Sequence, residues 1–477
     1  MRRRSSTVLA AAAALTGLAF MPLTASMSNN ANDHSDKQLL GGFSTMVPQE
    51  VTGPADCVDG KVNDLWACNG VDLISFYPTS KTSLQTGGDL QANLGNGGKI
   101  EISDSWGWTS PDSGDRYVIA GKTNGAAFFR VTDNPESVST TDTASGLEYL
   151  GDLPNPSPSR SVWHDIKVDG NFAYVVAESV ASGMQVFDLT RLDDATGEQS
   201  WTPDASSLFT GIESHNIVMN ADADVAYLVG GTTGLDPAAA ACRSGLVIVD
   251  ISNPALPMTT GCWSDRGYVH DAQCMTYSGP DADHDGKDLC FTANPDDDTM
   301  SIVDVSDPTN PVELSNATYP NGGYAHQGWL SEDGAFFFFG DEGDEGSGKR
   351  TRTMIFDVSD LDNAQDGFEW RNPVTESIDH NLYTNAGLLY MANYSSGLRV
   401  VDTAGLYDND GAAITQDDMT EIAFFDVYPE NDSSGFFGSW SVYPFFEDGV
   451  VAISAYDGLY LVQLHADVLE SRFTPGS

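Results

Sequence analysis

The side chains best suited to chemistry are five histidines that recur at nearly even intervals, each followed by a carboxylate or an amide. They are His164-Asp165, His215-Asn216, His270-Asp271, His326-Gln327 and His380-Asn381, separated by 51, 55, 56 and 54 residues. Neutral imidazoles are common ligands for zinc, copper and iron, and a neighbouring carboxylate or amide can orient each ring from behind, so an axial transition-metal site is one reading. The other is structural: repeated histidines hydrogen-bond between repeated units. Side chains alternate along a strand, so either His164 or Asp165 is expected to face a shared channel, but not both. The residues two beyond the histidines (Ile166, Ile217, Ala272, Gly328, Leu382) are apolar or small, as packing between units requires. The opposite register puts Asp165, Asn216, Asp271, Gln327 and Asn381 on the channel wall. The structural role is the favoured one.

A second ladder runs in phase with the histidines, an apolar strand ending on a polar residue at Arg130, Asp188, Asp250, Asp304, Asp357, Asp402 and Gln463. Such units cannot bury an apolar face alone and must stack on their neighbours, which brings equivalent residues together in space. In the clearest unit, His164 to Val168 reads as a strand, Gly170-Asn171 as a turn, Phe172 to Ala177 and Met184 to Leu189 as further strands, with a fourth before the next histidine. Four short strands per unit with almost no helical periodicity predict an all-β, seven-bladed β-propeller of four-stranded antiparallel blades. The first rung has Trp106-Gly107-Trp108 in place of His-Asp, and the last has Trp440-Ser441-Val442. Trp440 to Leu464 supplies only three strands. Val71 to Phe76 is therefore expected to close the last blade and remove an open sheet edge.

On the face where the inner strands start, the loops after the second strands carry Glu178, Asn294, Asp341, Glu342, Asn393 and Asp457. A polar, partly acidic rim suits a cation or a polyhydroxylated ligand, although the run Asp341 to Glu345 reads better as a solvated loop. At the opposite end, Asp281, Asp283, Asp285, Gly286 and Asp288 form a D-x-D-x-D-G loop that could hold calcium. Its twelfth position is Thr292 where a bidentate Glu is expected. Trp106, Trp108, Trp163, Trp329 and Trp440 lie beside the strand starts, where they could stack on a sugar ring and more readily wedge blades together. No nucleophile elbow, P-loop, dinucleotide fingerprint or H-E-x-x-H occurs.

The first residues read as an export signal: Arg2, Arg3 and Arg4, an uncharged run from Val8 to Leu23, and a small-residue cleavage region at Thr24-Ala25-Ser26. The expected organisation is a signal peptide over 1–25, a flexible polar leader over 26–56, the propeller over 57–464 and a short tail over 465–477. No later segment is apolar and long enough to span a membrane. A formal charge of −47 in 477 residues argues against nucleic acid and suits a saline, extracellular setting. The six cysteines form three local pairs, Cys57 with Cys68, Cys242 with Cys262 and Cys274 with Cys290. Export permits disulfides, and hairpin geometry favours this pairing for the last two.

Leu246-Val247-Ile248-Val249-Asp250 spells the motif of the LVIVD-repeat proteins. Cys57 to Phe76, Trp106-Gly107, Trp163-His164-Asp165, Tyr268 to Cys274, Tyr324 to Trp329, Asp379-His380-Asn381 and Asp426 to Pro444 further resemble the choice-of-anchor B family. The resemblance covers Cys57 to Leu464. It implies an exported propeller whose relatives carry alternative C-terminal surface anchors, though His465 to Ser477 has no hydrophobic tail or lipidation cysteine. The expected function is an extracellular or cell-surface binding module for an unidentified ligand or protein. The rival is a metal-dependent enzyme, redox or hydrolytic, with a histidine-lined axial site.

Overall fold

The computed structural model describes residues 43–475, apart from 83–99, 133–145, 157–159, 180–181, 204–212, 232–241, 243, 347, 366 and 408–412. The expected signal peptide lies outside the described residues. Seven sheets follow one another along the chain, antiparallel except where the short strand Gln199–Ser200 adds in parallel to the outer edge of the first. Their first strands are Ile102–Thr109, His164–Asp169, Asn216–Asn220, Asp271–Thr276, Ala325–Leu330, Leu382–Asn385 and Ser439–Tyr443. Each first strand packs against the next, and Ser439–Tyr443 returns to Ile102–Thr109, so the sheets are blades of a closed ring with these strands innermost. Blades are numbered here in that order. Blade 2 shows three antiparallel strands among the described residues.

The ring is closed by the N-terminal strand, as expected. Val71–Pro78 pairs antiparallel with Gly458–Leu464, from Val71 opposite Leu464 to Pro78 opposite Gly458, and supplies the outer strand of blade 7. The polar stretch expected as a flexible leader is tied down from residue 43. Thr52 and Ala55 bridge to Phe76 and Leu73, Val47 is buried, and Glu430 accepts hydrogen bonds from Ser44 and Thr45. A hairpin held by the Cys57–Cys68 disulfide adds to the outer edge of blade 6 through Cys68 opposite Phe425. Trp66, fully buried, packs there on Phe76, Phe425 and Tyr460. The tail is packed too, with Phe473 against Tyr407 of blade 6.

Middle strands such as Phe172–Ala177, Leu246–Asp250 and Phe336–Asp341 are continuous apolar runs because each blade is covered on both faces by its neighbours. Aromatic pairs weld the interfaces: Phe128 with Phe187 between blades 1 and 2, and Phe291 with Phe337 between blades 4 and 5, at ring separations of 4.5 and 5.1 Å. The polar residue ending the third strand is an Asx-turn former. Asp188, Asp250, Asp304, Asp357 and Asp402 each accept from the backbone N–H two residues on, at 2.9 to 3.1 Å. The three expected disulfides are present, and Cys274 and Cys290 face each other across one hairpin.

Candidate functional site

Four of the five histidines form one arc on the axis. Ring centroids are 4.5 Å apart for His215 and His270, 4.1 Å for His270 and His326, and 4.3 Å for His326 and His380; Trp440 ends the arc 4.9 Å from His380. Three of the rings are fixed by what Nδ1 touches. In His270 it meets the His326 carbonyl of the next blade at 2.9 Å, in His380 the Trp440 carbonyl, and in His215 the Glu178 carboxylate of the preceding blade at 2.8 Å. His164 stands outside the arc. Its Nδ1 meets the Ser161 carbonyl at 3.0 Å, and burial pushes its pKa down to about 4, so it is a neutral packing residue.

The residues after the histidines form a second tier, which hydrogen-bonds from blade to blade. Asp165 accepts from the Ile217 N–H of the next blade at 2.8 Å, and Gln327 from the Leu382 N–H at 2.9 Å. Blade 1 joins this tier through Ser103-Asp104, not Trp106-Gly107. Asp104, Asp165 and Asp271 each accept from the N–H of the following residue at 2.6 to 2.7 Å, the same local geometry in three blades. The register shift between Ile102 and Ser105 displaced the sequence alignment of this rung.

The cation facing the second tier is Lys167, 2.6 Å from Asp165 and 3.7 Å from Asp104. Burial alone would lower its pKa, but the two carboxylates outweigh it and hold the ammonium charged. Burial raises Asp165, and lifts Asp271 to about 7. Two residues beyond this tier comes a third, with Trp106, Lys167, Gln273, Trp329, Tyr383 and Tyr443. Trp106 packs on Tyr383 and Tyr443 at 5.8 and 5.3 Å, Trp329 on Tyr383 at 4.9 Å, and the Lys167 ammonium lies 4.8 Å over Trp106. Beside this tier, at the ends of the inner strands of blades 4 to 6, lies a pocket of about 460 Å³ whose lining includes Gln273, Trp329, Thr384, Asn385 and Phe445.

The expected rim is mostly interior. Asn294 and Asn393 are fully buried and Asp457 nearly so. Asp341 is 1 % exposed and caps its own loop, accepting from Tyr319 Oη and from the N–H groups of Gly323, Tyr324 and Gly343. The run Asp341 to Glu345 is therefore not a solvated loop. Arg352, also buried, pairs with Asp344, and its backbone N–H donates to Glu345, which draws the acidic run inward. Asp379, in the next blade, is buried beside it with neither oxygen in a hydrogen bond, and burial raises its pKa.

Among the described residues, two groups of metal-ligating side chains converge to within 4.8 Å: His326, Glu342 and His380, and Asp281, His284 and Asp362. The D-x-D-x-D-G loop does not gather its carboxylates as an EF-hand loop does. Asp281 accepts from Asp283 N–H and from Leu361 N–H of the next blade, whereas Asp288 turns the other way to Thr276 and Asn220. The imidazole of His284 takes the place of an oxygen ligand, and calcium prefers oxygen throughout.

Sequence reasoning named the five histidines, four of which share the arc, together with Glu342 and the disulfide cysteines. It missed Asp104, Lys167, Asp344, Glu345, Asp379 and Tyr394. Lys167 was detectable as the one charged residue in Ile166-Lys167-Val168, within a chain holding only 22 Lys and Arg residues.

Comparison with known proteins bears on the fold. The LVIVD repeat model matches residues 162–179, 240–263 and 296–318, so the chain carries LVIVD repeats. No curated protein matches. Among solved structures the chain is similar to Kuenenia stuttgartiensis hydrazine synthase, at 14 % identity and a TM-score of 0.46 over 75 % of this chain and 94 % of that one.

Proposed function

We propose that this chain is an exported binding protein of the choice-of-anchor B type, acting outside the cell or at its surface. Its ligand is the ring of a saccharide or similar polyhydroxylated molecule, taken into the aromatic end of the axial channel. The observation that carries this reading is the pairing of partly exposed Trp329 and Phe445 with Gln273 in the 460 Å³ pocket. Aromatic faces stack on the C–H face of a sugar, and side-chain amides and hydroxyls fix its orientation. The walls are rigid. Thr384 donates to the Leu330 carbonyl and Asn385 to the Pro444 carbonyl, while Gln273 accepts from the Leu330 N–H.

The exported setting is supported by the signal-like run ending near Ala25, the three disulfides and the strongly acidic composition. The described residues contain no helix long and apolar enough to cross a membrane. Calorimetric titration of the purified protein against a panel of mono- and disaccharides tests the ligand class. At least one sugar should bind, and Trp329→Ala should weaken it about tenfold or more. A panel without a single binder, or equal affinity in the alanine variant, overturns the assignment.

A further inference from the structure

His326, Glu342 and His380 sit at the other end of the channel, and their position does not depend on the sugar pocket. His326 lies on the first strand of blade 5, Glu342 follows the second strand of that blade, and His380 precedes the first strand of blade 6. Nε2 of His326 is 3.6 Å from one Glu342 oxygen, and Nε2 of His380 is 3.8 Å from the other. Donor atoms around a tetrahedral ion with bonds of roughly 2.0–2.2 Å stand about 3.4 Å apart, close to these two separations, and the three donor atoms lie within 4.8 Å of one another.

We propose that these three side chains bind one divalent transition metal of the zinc, iron(II) or cobalt(II) class. Two imidazoles and one carboxylate select such ions, whereas calcium and magnesium take oxygen donors throughout. The surroundings are those of a ligand set. The Trp440 carbonyl holds Nδ1–H of His380, directing the Nε2 lone pair at the centre. Tyr394 Oη donates to a Glu342 oxygen at 2.6 Å and orients the carboxylate.

The setting is buried and rich in carboxyl groups. His326, Glu342 and His380 are 2 to 4 % exposed, and behind them lie Asp341, Asp344, Glu345 and Asp379 with one arginine, Arg352. Blade packing and metal binding do not compete for the same atoms. Nδ1 of His380 serves the neighbouring blade, and Nε2 serves the ion. Three protein ligands leave at least one position for water or a small anion.

The test is cobalt(II) loading of the full protein after chelator treatment, followed by its visible d–d bands. One equivalent should bind, and added azide should perturb the bands. Glu342→Gln and the His326→Ala/His380→Ala pair should weaken binding at least about 100-fold, and Tyr394→Phe about tenfold, with the far-ultraviolet spectrum retained. Asp281→Asn/Asp362→Asn should bind as the parent does. Two results overturn the proposal: a parent protein that binds cobalt no better than Glu342→Gln, or bands that vanish only in the Asp281/Asp362 variant.

Discussion

Nδ1 of His270 lies 2.9 Å from the backbone carbonyl of His326, one blade further round the ring. The contact joins two blades through an imidazole that is 1 % exposed, and Asn216 reaches the His270 carbonyl at 3.1 Å from the other side. His270→Ala removes a buried hydrogen bond and leaves a cavity, so it should cost about 2–4 kcal/mol. Urea denaturation measures this. A loss under roughly 0.5 kcal/mol would mean the contact is not holding the blades.

Lys167 offers a second mutational test. Replacing it with Met strands Asp165 and Asp104 in a buried setting and should destabilise by about 3–5 kcal/mol. Adding Asp165→Asn removes the stranded carboxylate and should restore part of that loss. A double variant no more stable than Lys167→Met would argue that the pair is not coupled.

The Cys274–Cys290 disulfide closes a loop with a sequence separation of 16. Converting both to Ala should lower stability by about 3 kcal/mol if the bond acts by restraining the unfolded chain. Reductant should then shift the melting temperature of this variant less than that of the parent.

Asp426 gives a prediction for pH. Burial lifts its carboxyl to about 7; the Tyr428 N–H and Arg399 oppose the shift, while Asp432 and Glu430 reinforce it. An unfolded aspartate titrates near 3.9, so the folded protein holds the extra proton between about pH 4 and 7. The stabilisation is complete below the unfolded value and is lost as pH rises through the folded one. Melting temperature should fall between about pH 4 and 7, and Asp426→Asn should flatten that fall. An identical slope in the variant would rule out Asp426 as the source.

The periodicity of the histidines and of the LVIVD-like strands made the blade number and ring closure legible before any coordinates, because each repeat carries its own hairpin signals. The disulfides were legible for the same local reason. The histidine arc was legible as a set, but the role of each member was not, since His164 and His326 share a motif and differ only in what lies beside them. Asp344, Glu345 and Asp379 could not be assembled from spacing. They meet Arg352 only because a loop of blade 5 folds inward against the segment entering blade 6. The misplaced first rung has a simpler cause, a bulge that shifts Ser103-Asp104 out of phase.

Val71–Pro78 and Gly458–Leu464 stand at opposite ends of the propeller sequence, yet share one sheet. During synthesis the early strand must wait for its partner in blade 7 until almost the whole polypeptide has emerged. A chain threaded unfolded through a secretion pore meets no penalty from this order of events. The seventh blade thus works as a clasp that snaps shut last, and a product terminated before residue 458 should be left as an open, protease-sensitive crescent.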